Sequence, residues 1–156
     1  MKKISLAFMI LLMSGLMTIT WAQVDVTFQV DMSEQTVNPD GVTVAGDFQD
    51  DVIGESYTDW TPGEIFLTEG DPGIYSVTVQ LPEGTYYFKY VNGIAWGDDE
   101  SVPGGCAVGG NRELVVGPDP VVLEAVCYGS CTVCAPPEVE VTFRVNMADQ
   151  TVSGDG

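Results

Sequence analysis

From residue 24 to residue 32 the chain reads VDVTFQVDM, with Val24, Val26, Phe28, Val30 and Met32 at every second position. A period of two marks a strand with one buried face. The alternation returns at residues 74–81, IYSVTVQL, where Tyr75, Val77, Val79 and Leu81 oppose Ser76, Thr78 and Gln80. Pro82-Glu83-Gly84 then turns the chain, Pro presetting φ and Gly permitting positive φ. Residues 85–91, TYYFKYV, run back with the aromatic and β-branched side chains that suit a pleated surface. Together these segments predict a β-hairpin. Further strands are expected at residues 42–48, 64–68, 112–116 and 121–126, set apart by turn formers such as Asn38-Pro39-Asp40-Gly41 and Asp71-Pro72-Gly73. About seven short strands in roughly 100 residues, with no helical period, predict an all-β, immunoglobulin-like two-sheet β-sandwich.

The two ends follow different rules. Residues 1–22 carry Lys2 and Lys3, a mostly apolar run and a small residue, Ala22, which predicts a signal peptide cleaved before Gln23. The apolar run is shorter than the about 20 residues a membrane span needs, so no membrane insertion is expected once the leader is gone. Residues 23–134 form the module. Ala135-Pro136-Pro137-Glu138 reads as a linker, and residues 139–156, VEVTFRVNMADQTVSGDG, match residues 24–41, VDVTFQVDMSEQTVNPDG, without a gap. One strand and a turn cannot fold alone. The segment is expected to be the truncated start of a second copy of the module in a tandem array.

Charge narrows the choice of partner. The formal net charge is -18, and there is no His. Two of the five basic residues leave with the leader, so only Lys89, Arg112 and Arg144 remain in the mature chain. Such a surface repels phosphate backbones and anionic membranes, which excludes nucleic acid. A neutral polymer meets no such repulsion. The absence of His excludes any mechanism that needs an imidazole.

Cys106, Cys127, Cys131 and Cys134 fall at the end of the module, and an even count in an exported chain predicts disulfides. Four cysteines allow three pairings. Cys106–Cys127 with Cys131–Cys134 is favoured, because it ties the loop after Trp96 to the last strand. The spacing Cys127-x3-Cys131-x2-Cys134 also matches an iron–sulfur pattern, but an exported all-β chain has no barrel for that cofactor, and a zinc site suits the compartment less well. No metal and no cofactor are expected. The acidic groups Asp98-Asp99-Glu100 and Asp47 with Asp50-Asp51 could serve glycoside hydrolysis or calcium. Acids this frequent are read instead as solvated surface, and Asp98 to Glu100 as a solvated rim. No catalytic residues are expected.

The aromatic residues point further. Tyr57, Trp60 and Trp96 lie in loops rather than at alternating strand positions. Flat rings in loops can stack on the apolar C–H faces of sugars. The segments VTVAGDFQ, then a Trp, then GIYSVTVQLPEGTYYFKYVNG and a Trp in an acidic loop resemble the starch- and glycogen-binding module superfamily. The nearest shape is the glycogen-binding module of the AMP-activated kinase β subunit, and the Cys-containing end resembles repeats of large exported bacterial proteins. The resemblance runs over about residues 24–126. It implies an early-set sandwich and a sugar platform of Trp60, Lys89, Trp96 and Asn111. An insertion precedes Trp60, and Gln49 stands where the family usually has Asn.

The expected function is therefore a non-catalytic carbohydrate-binding module of a secreted or cell-surface multi-domain protein, with an α-glucan polysaccharide as partner. The alternative is a structural or adhesive immunoglobulin-like spacer that binds no sugar. In that case both Trp side chains would be buried and would share no surface.

Overall fold

The computed structural model describes residues 23–52, 54–135, 141–146 and 148. The expected signal peptide, most of the expected linker and much of residues 139–156 lie outside the described residues. The strands are β1 (Gln23–Asp31), β2 (Val42–Gly46), β3 (Ile65–Glu69), β4 (Ile74–Pro82), β5 (Gly84–Val91), β6 (Arg112–Val116), β7 (Val121–Val122) and β8 (Val126–Cys127). A single 3₁₀ turn, Gln49–Asp51, follows β2.

The alternation in β1 does what its period requires: Val24, Val26, Phe28, Val30 and Met32 are all buried. β1 pairs antiparallel with β4 along its whole length, from Gln23 opposite Pro82 to Asp31 opposite Ile74. Its other edge takes β7 and β8, both parallel. The strand order is β6-β5-β2-β3-β4-β1-β7. β3 pairs with β2 through its first half and with β4 through its last two residues, so the sheet curls over at β3. The curl sets β2, β5 and β6 against β1, β4, β7 and β8 as the two layers of a sandwich. Phe28 of β1 stacks on Phe48 at 4.7 Å and meets Phe88 of β5 edge-on at 5.0 Å. Across the same core the Tyr90 hydroxyl donates to the Gln29 carbonyl at 2.7 Å and accepts from the Gln29 N–H at 3.1 Å. Burying Tyr90 pushes its phenol well above the ordinary tyrosine range.

Two expectations are corrected here. β4 and β5 form no hairpin. β4 pairs with β1 and β3, while β5 pairs with β2 and β6, so residues 82–84 are a corner between layers. Gly84 does not take a positive φ, which the tight hairpin turns need. The inward side chains explain the preference. Leu81 from one layer and Tyr86, Phe88 and Tyr90 from the other are buried in one core, which a flat hairpin would not allow. The seventh expected strand is also broken, into β7 and β8. The Leu123 N–H still reaches Thr27, but the Leu123 carbonyl accepts from the Gln29 side chain and Val126 bonds back to Glu124.

The disulfides form, but with a different pairing. Cys106 is joined to Cys131 and Cys127 to Cys134, with Cα separations of 5.6 and 4.9 Å. The Cys127 N–H bonds to the Thr132 carbonyl, which closes a turn and brings Cys134 back beside Cys127. Cys131 is left facing the Cys106 loop. Within the repeated segment, Val141, Phe143 and Val145 are exposed and belong to no strand, although Val26, Phe28 and Val30 at the matching positions are fully buried.

Glu100 overturns the reading of a solvated acidic rim. Its residue exposure is 1%. Its Oε1 accepts from Arg112 Nε at 2.7 Å and the Tyr90 N–H at 3.0 Å, and its Oε2 accepts from Arg112 Nη2 at 2.6 Å and the Gly129 N–H at 3.1 Å. Arg112 Nη2 also donates to the Ser130 carbonyl, and the guanidinium lies 5.5 Å from the Tyr90 ring centroid. This pair links β5 and β6 to the Cys-rich end. Removing one partner of such a pair strands the other charge, which costs about 3–5 kcal/mol. Glu100→Ala should therefore lower the urea midpoint sharply without changing the slope of the transition. A variant that unfolds at the wild-type midpoint would refute the buried pair.

Candidate functional site

Period two decides which side chains reach the outer face beside this buried pair. On β5, Phe88 and Tyr90 point inward and Lys89 outward. Asp99 precedes buried Glu100, and Asn111 precedes buried Arg112. Val91 bridges to Asp99, so the segment after β5 continues the sheet edge for one more residue. Lys89, Asp99 and Asn111 thus emerge side by side.

Two loops bring the rings. The loop after β5 closes on itself: the Asn92 N–H bonds to the Asp98 carbonyl at 2.9 Å, and the Gly97 N–H to Asp99 Oδ1 at 3.1 Å. The Asn92 side chain holds the loop to the chain before β2, accepting from the Asn38 N–H and donating to the Thr36 carbonyl. Trp96 stands on this loop with 49% of its surface exposed. Trp60 comes from the long connection between β2 and β3. Its φ is 55°, the only positive φ of a non-glycine residue among the described residues. A left-handed conformation costs a side chain of this kind about 1–2 kcal/mol, and such strain collects at functional sites. The Trp60 N–H is held by the Gly46 carbonyl at 2.9 Å. The two loops touch where Gly63, with a φ of 85°, lies against Ile94; a Cβ there would sit 3.1 Å from the Ile94 Cβ.

The result is a shallow, open concavity of about 400 Å³ lined by Trp60, Lys89, Trp96, Asp99 and Asn111. The two indoles lie 6.3 Å apart with their planes tilted by 39°. Lys89 Nζ donates to Asp99 Oδ2 at 2.7 Å. That hydrogen bond holds the Asp99 carboxyl below the ordinary aspartate value, against a smaller opposing effect of burial. The site therefore offers two apolar faces, an ammonium donor, a carboxylate acceptor and an amide that can do both. The pair leaves almost no net charge at the base of the concavity.

All four residues implied by the resemblance, Trp60, Lys89, Trp96 and Asn111, share this surface. Tyr57 does not: it packs against the core and lines a different concavity, with Val52, Glu55 and Ile65. Asp99 is the site residue that sequence reasoning missed. The signal was present in the scarcity of cations, since Lys89 had many acids to choose from and its partner had to lie near in space. Asp47 is occupied elsewhere, accepting from the Tyr87 N–H at 2.6 Å. Asp50 is raised above its ordinary value chiefly by the charge of Asp59. Among the described residues, the grouping with metal-ligand atoms in reach of one another is Glu34, Cys127 and Cys134, and its two sulfurs are bonded to each other.

The described residues thus form an all-β sandwich with an open aromatic face. The family model of the pullulanase X25 domain matches residues 41–121, just over half of the chain. The chain belongs to that family. The matched stretch contains Trp60, Lys89, Trp96, Asp99 and Asn111. No curated protein matches the chain.

The lowered Asp99 value fixes a sign. A depressed carboxyl contributes stability that is full above its ordinary value and is lost as pH falls through the depressed one. The Lys89–Asp99 pair should therefore persist while pH drops through the ordinary aspartate range. A carboxyl-carbon NMR titration should show Asp99 protonating below that range, and Lys89→Ala should raise its titration point. An Asp99 that titrates normally in the wild type would contradict the pair.

Proposed function

We propose that the chain is a non-catalytic carbohydrate-binding module for a neutral polysaccharide, with α-glucan as the polymer and the concavity of Trp60, Lys89, Trp96, Asp99 and Asn111 as its site. The observation that carries this reading is the tilted pair of indoles, Trp96 exposed and Trp60 half-buried, in one concavity with three polar side chains. Sugar rings present apolar C–H faces above and below and hydroxyls around the rim. The indole faces suit the former, and the lysine, carboxylate and amide suit the latter. Mutual neutralisation of Lys89 and Asp99 favours an uncharged glycan over an acidic one, and so does the overall charge of -18. Membership of the pullulanase X25 family supports the choice of polymer, because that domain is a carbohydrate-binding-like accessory of starch-degrading enzymes rather than a catalytic part.

The module belongs, on this reading, to an exported multi-domain protein. The disulfides and the family support export, and among the described residues no helix is long and apolar enough to cross a membrane. Residues 139–156 are then the start of a second copy, and repeated modules would raise retention on the polymer through effective concentration. The rival reading, a spacer without sugar binding, calls for two indoles shut in the core. The open face of Trp96 and its proximity to Trp60 weigh against it.

Electrophoresis through gels containing glycogen, soluble starch or pullulan tests the proposal. Wild-type protein should be retarded in at least one, and Trp96→Ala should run as it does in a glycan-free gel. Losing a central stacking ring costs about 2 kcal/mol or more, roughly thirty-fold in affinity. Wild-type migration that no glycan changes would sink the reading.

A further inference from the structure

We propose that Gln49 is the positioning residue of this site: its buried amide clamps the Trp60 loop onto the end of β2 and so sets the tilt of the Trp60 ring against Trp96. The inference rests on the sugar-binding reading above, but its geometry stands apart from it. Gln49 has no exposed surface, although it lies in a chain segment that leaves β2 for a long loop. Every polar atom of its side chain is used. Oε1 accepts from the Gly46 N–H at 3.1 Å and from the Thr61 N–H at 3.0 Å. Nε2 donates to the Thr61 carbonyl at 3.0 Å and to Glu64 Oε2 at 3.3 Å.

The four bonds enclose Trp60. On one side the Gly46 N–H meets the Gln49 amide while the Gly46 carbonyl holds the Trp60 N–H. On the other, both backbone groups of Thr61, the next residue, close on the same amide. Glu64 extends the clamp by accepting from the Thr58 N–H at 2.7 Å. A primary amide is the side chain that can accept from one peptide N–H and donate to the same residue's carbonyl, as a neighbouring strand would. Gln49 thus replaces the strand partner that Thr61 lacks. This explains how Trp60 is kept at a φ of 55°, which nothing in the loop's own sequence favours. Gly46 is needed at the other end, since a Cβ there would meet the Tyr87 carbonyl and the Phe48 ring.

Gln49 does not line the concavity, so its effect on binding must pass through Trp60. Gln49→Glu keeps the size and both acceptor contacts but loses the two donations and sets a carboxylate beside Glu64. It should weaken binding to glycogen at least tenfold in the wild-type background. In a Trp60→Ala background it should change affinity by less than twofold, while any loss of melting temperature appears equally in both. A similar loss of affinity in both backgrounds, or no loss in either, would overturn the proposal.

Two readouts need no glycan. The part of the circular dichroism couplet that Trp60→Ala removes should also vanish in Gln49→Glu. In the unmutated chain, the Trp60 and Thr61 amides should exchange with deuterium as slowly as those of β2. Exchange at open-loop rates, or a couplet that survives in Gln49→Glu, would overturn the clamp. A clamp that passes both tests in a protein that binds no glucan would leave Gln49's role standing and refute the sugar site alone.

Discussion

The site rests on a buried ion pair that never reaches it. Glu100 and Arg112 are locked together in the interior, and Tyr90 joins them through its backbone N–H and the face of its ring. Each of these three buried residues has, as its immediate chain neighbour, one of the polar groups on the outer face: Asp99, Asn111 and Lys89. In extended chain, adjacent side chains point to opposite faces. Orientation of the inner three therefore dictates the placing of the outer three. A buried ion pair is poor evidence of stability, because desolvation can outweigh the attraction. Its value here is registry: a carboxylate with four directed donors and a guanidinium with a forked geometry accept one arrangement of β5, β6 and the Cys-rich end.

The aromatic half of the site is held by other means. Trp96 sits on a short loop that closes by backbone bonds and leaves the sheet directly above Lys89. Trp60 arrives on a long connection with no strand of its own, and it is held by a hydrogen bond to the end of β2 and by the Gln49 amide on the next residue. The two halves meet where Gly63 allows Ile94 to approach closely. One indole thus inherits its position from the sheet, and the other from a side-chain clamp.

Much of this was legible in the sequence. The period-two pattern of residues 24–32 placed β1 to within one residue, because burial on one face admits no other register. The sandwich followed from strand count and turn spacing, and the aromatic loops were visible because Trp60 and Trp96 broke the alternation. What stayed hidden was non-local. Pro82-Glu83-Gly84 has the composition of a hairpin turn and of a corner alike, and only packing against β1 and β2 chooses between them. Glu100 looked like surface because a carboxylate beside two others in a Gly-rich loop gives no sign of Arg112 waiting in the interior. The disulfide pairing turned on a tight bend at residues 127–132 that brings Cys134, not Cys131, back to Cys127. Strand starts were read well, whereas ends drifted where side-chain bonds replaced ladder bonds, as between β7 and β8.

The parallel pairing of β1 with β7 and β8 has a mechanical consequence. Val26 lies opposite Val121 and Asp31 opposite Cys127, so the first strand and the last two run alongside each other in the same direction. A pull that enters at Gln23 and leaves beyond Cys127 acts along these strands in opposite senses. The cross-strand bonds are then loaded in shear, all at once, instead of being unzipped one by one. The Cys127–Cys134 bridge carries the same load past the final turn through a covalent bond. A module built in this way resists being drawn out by its ends.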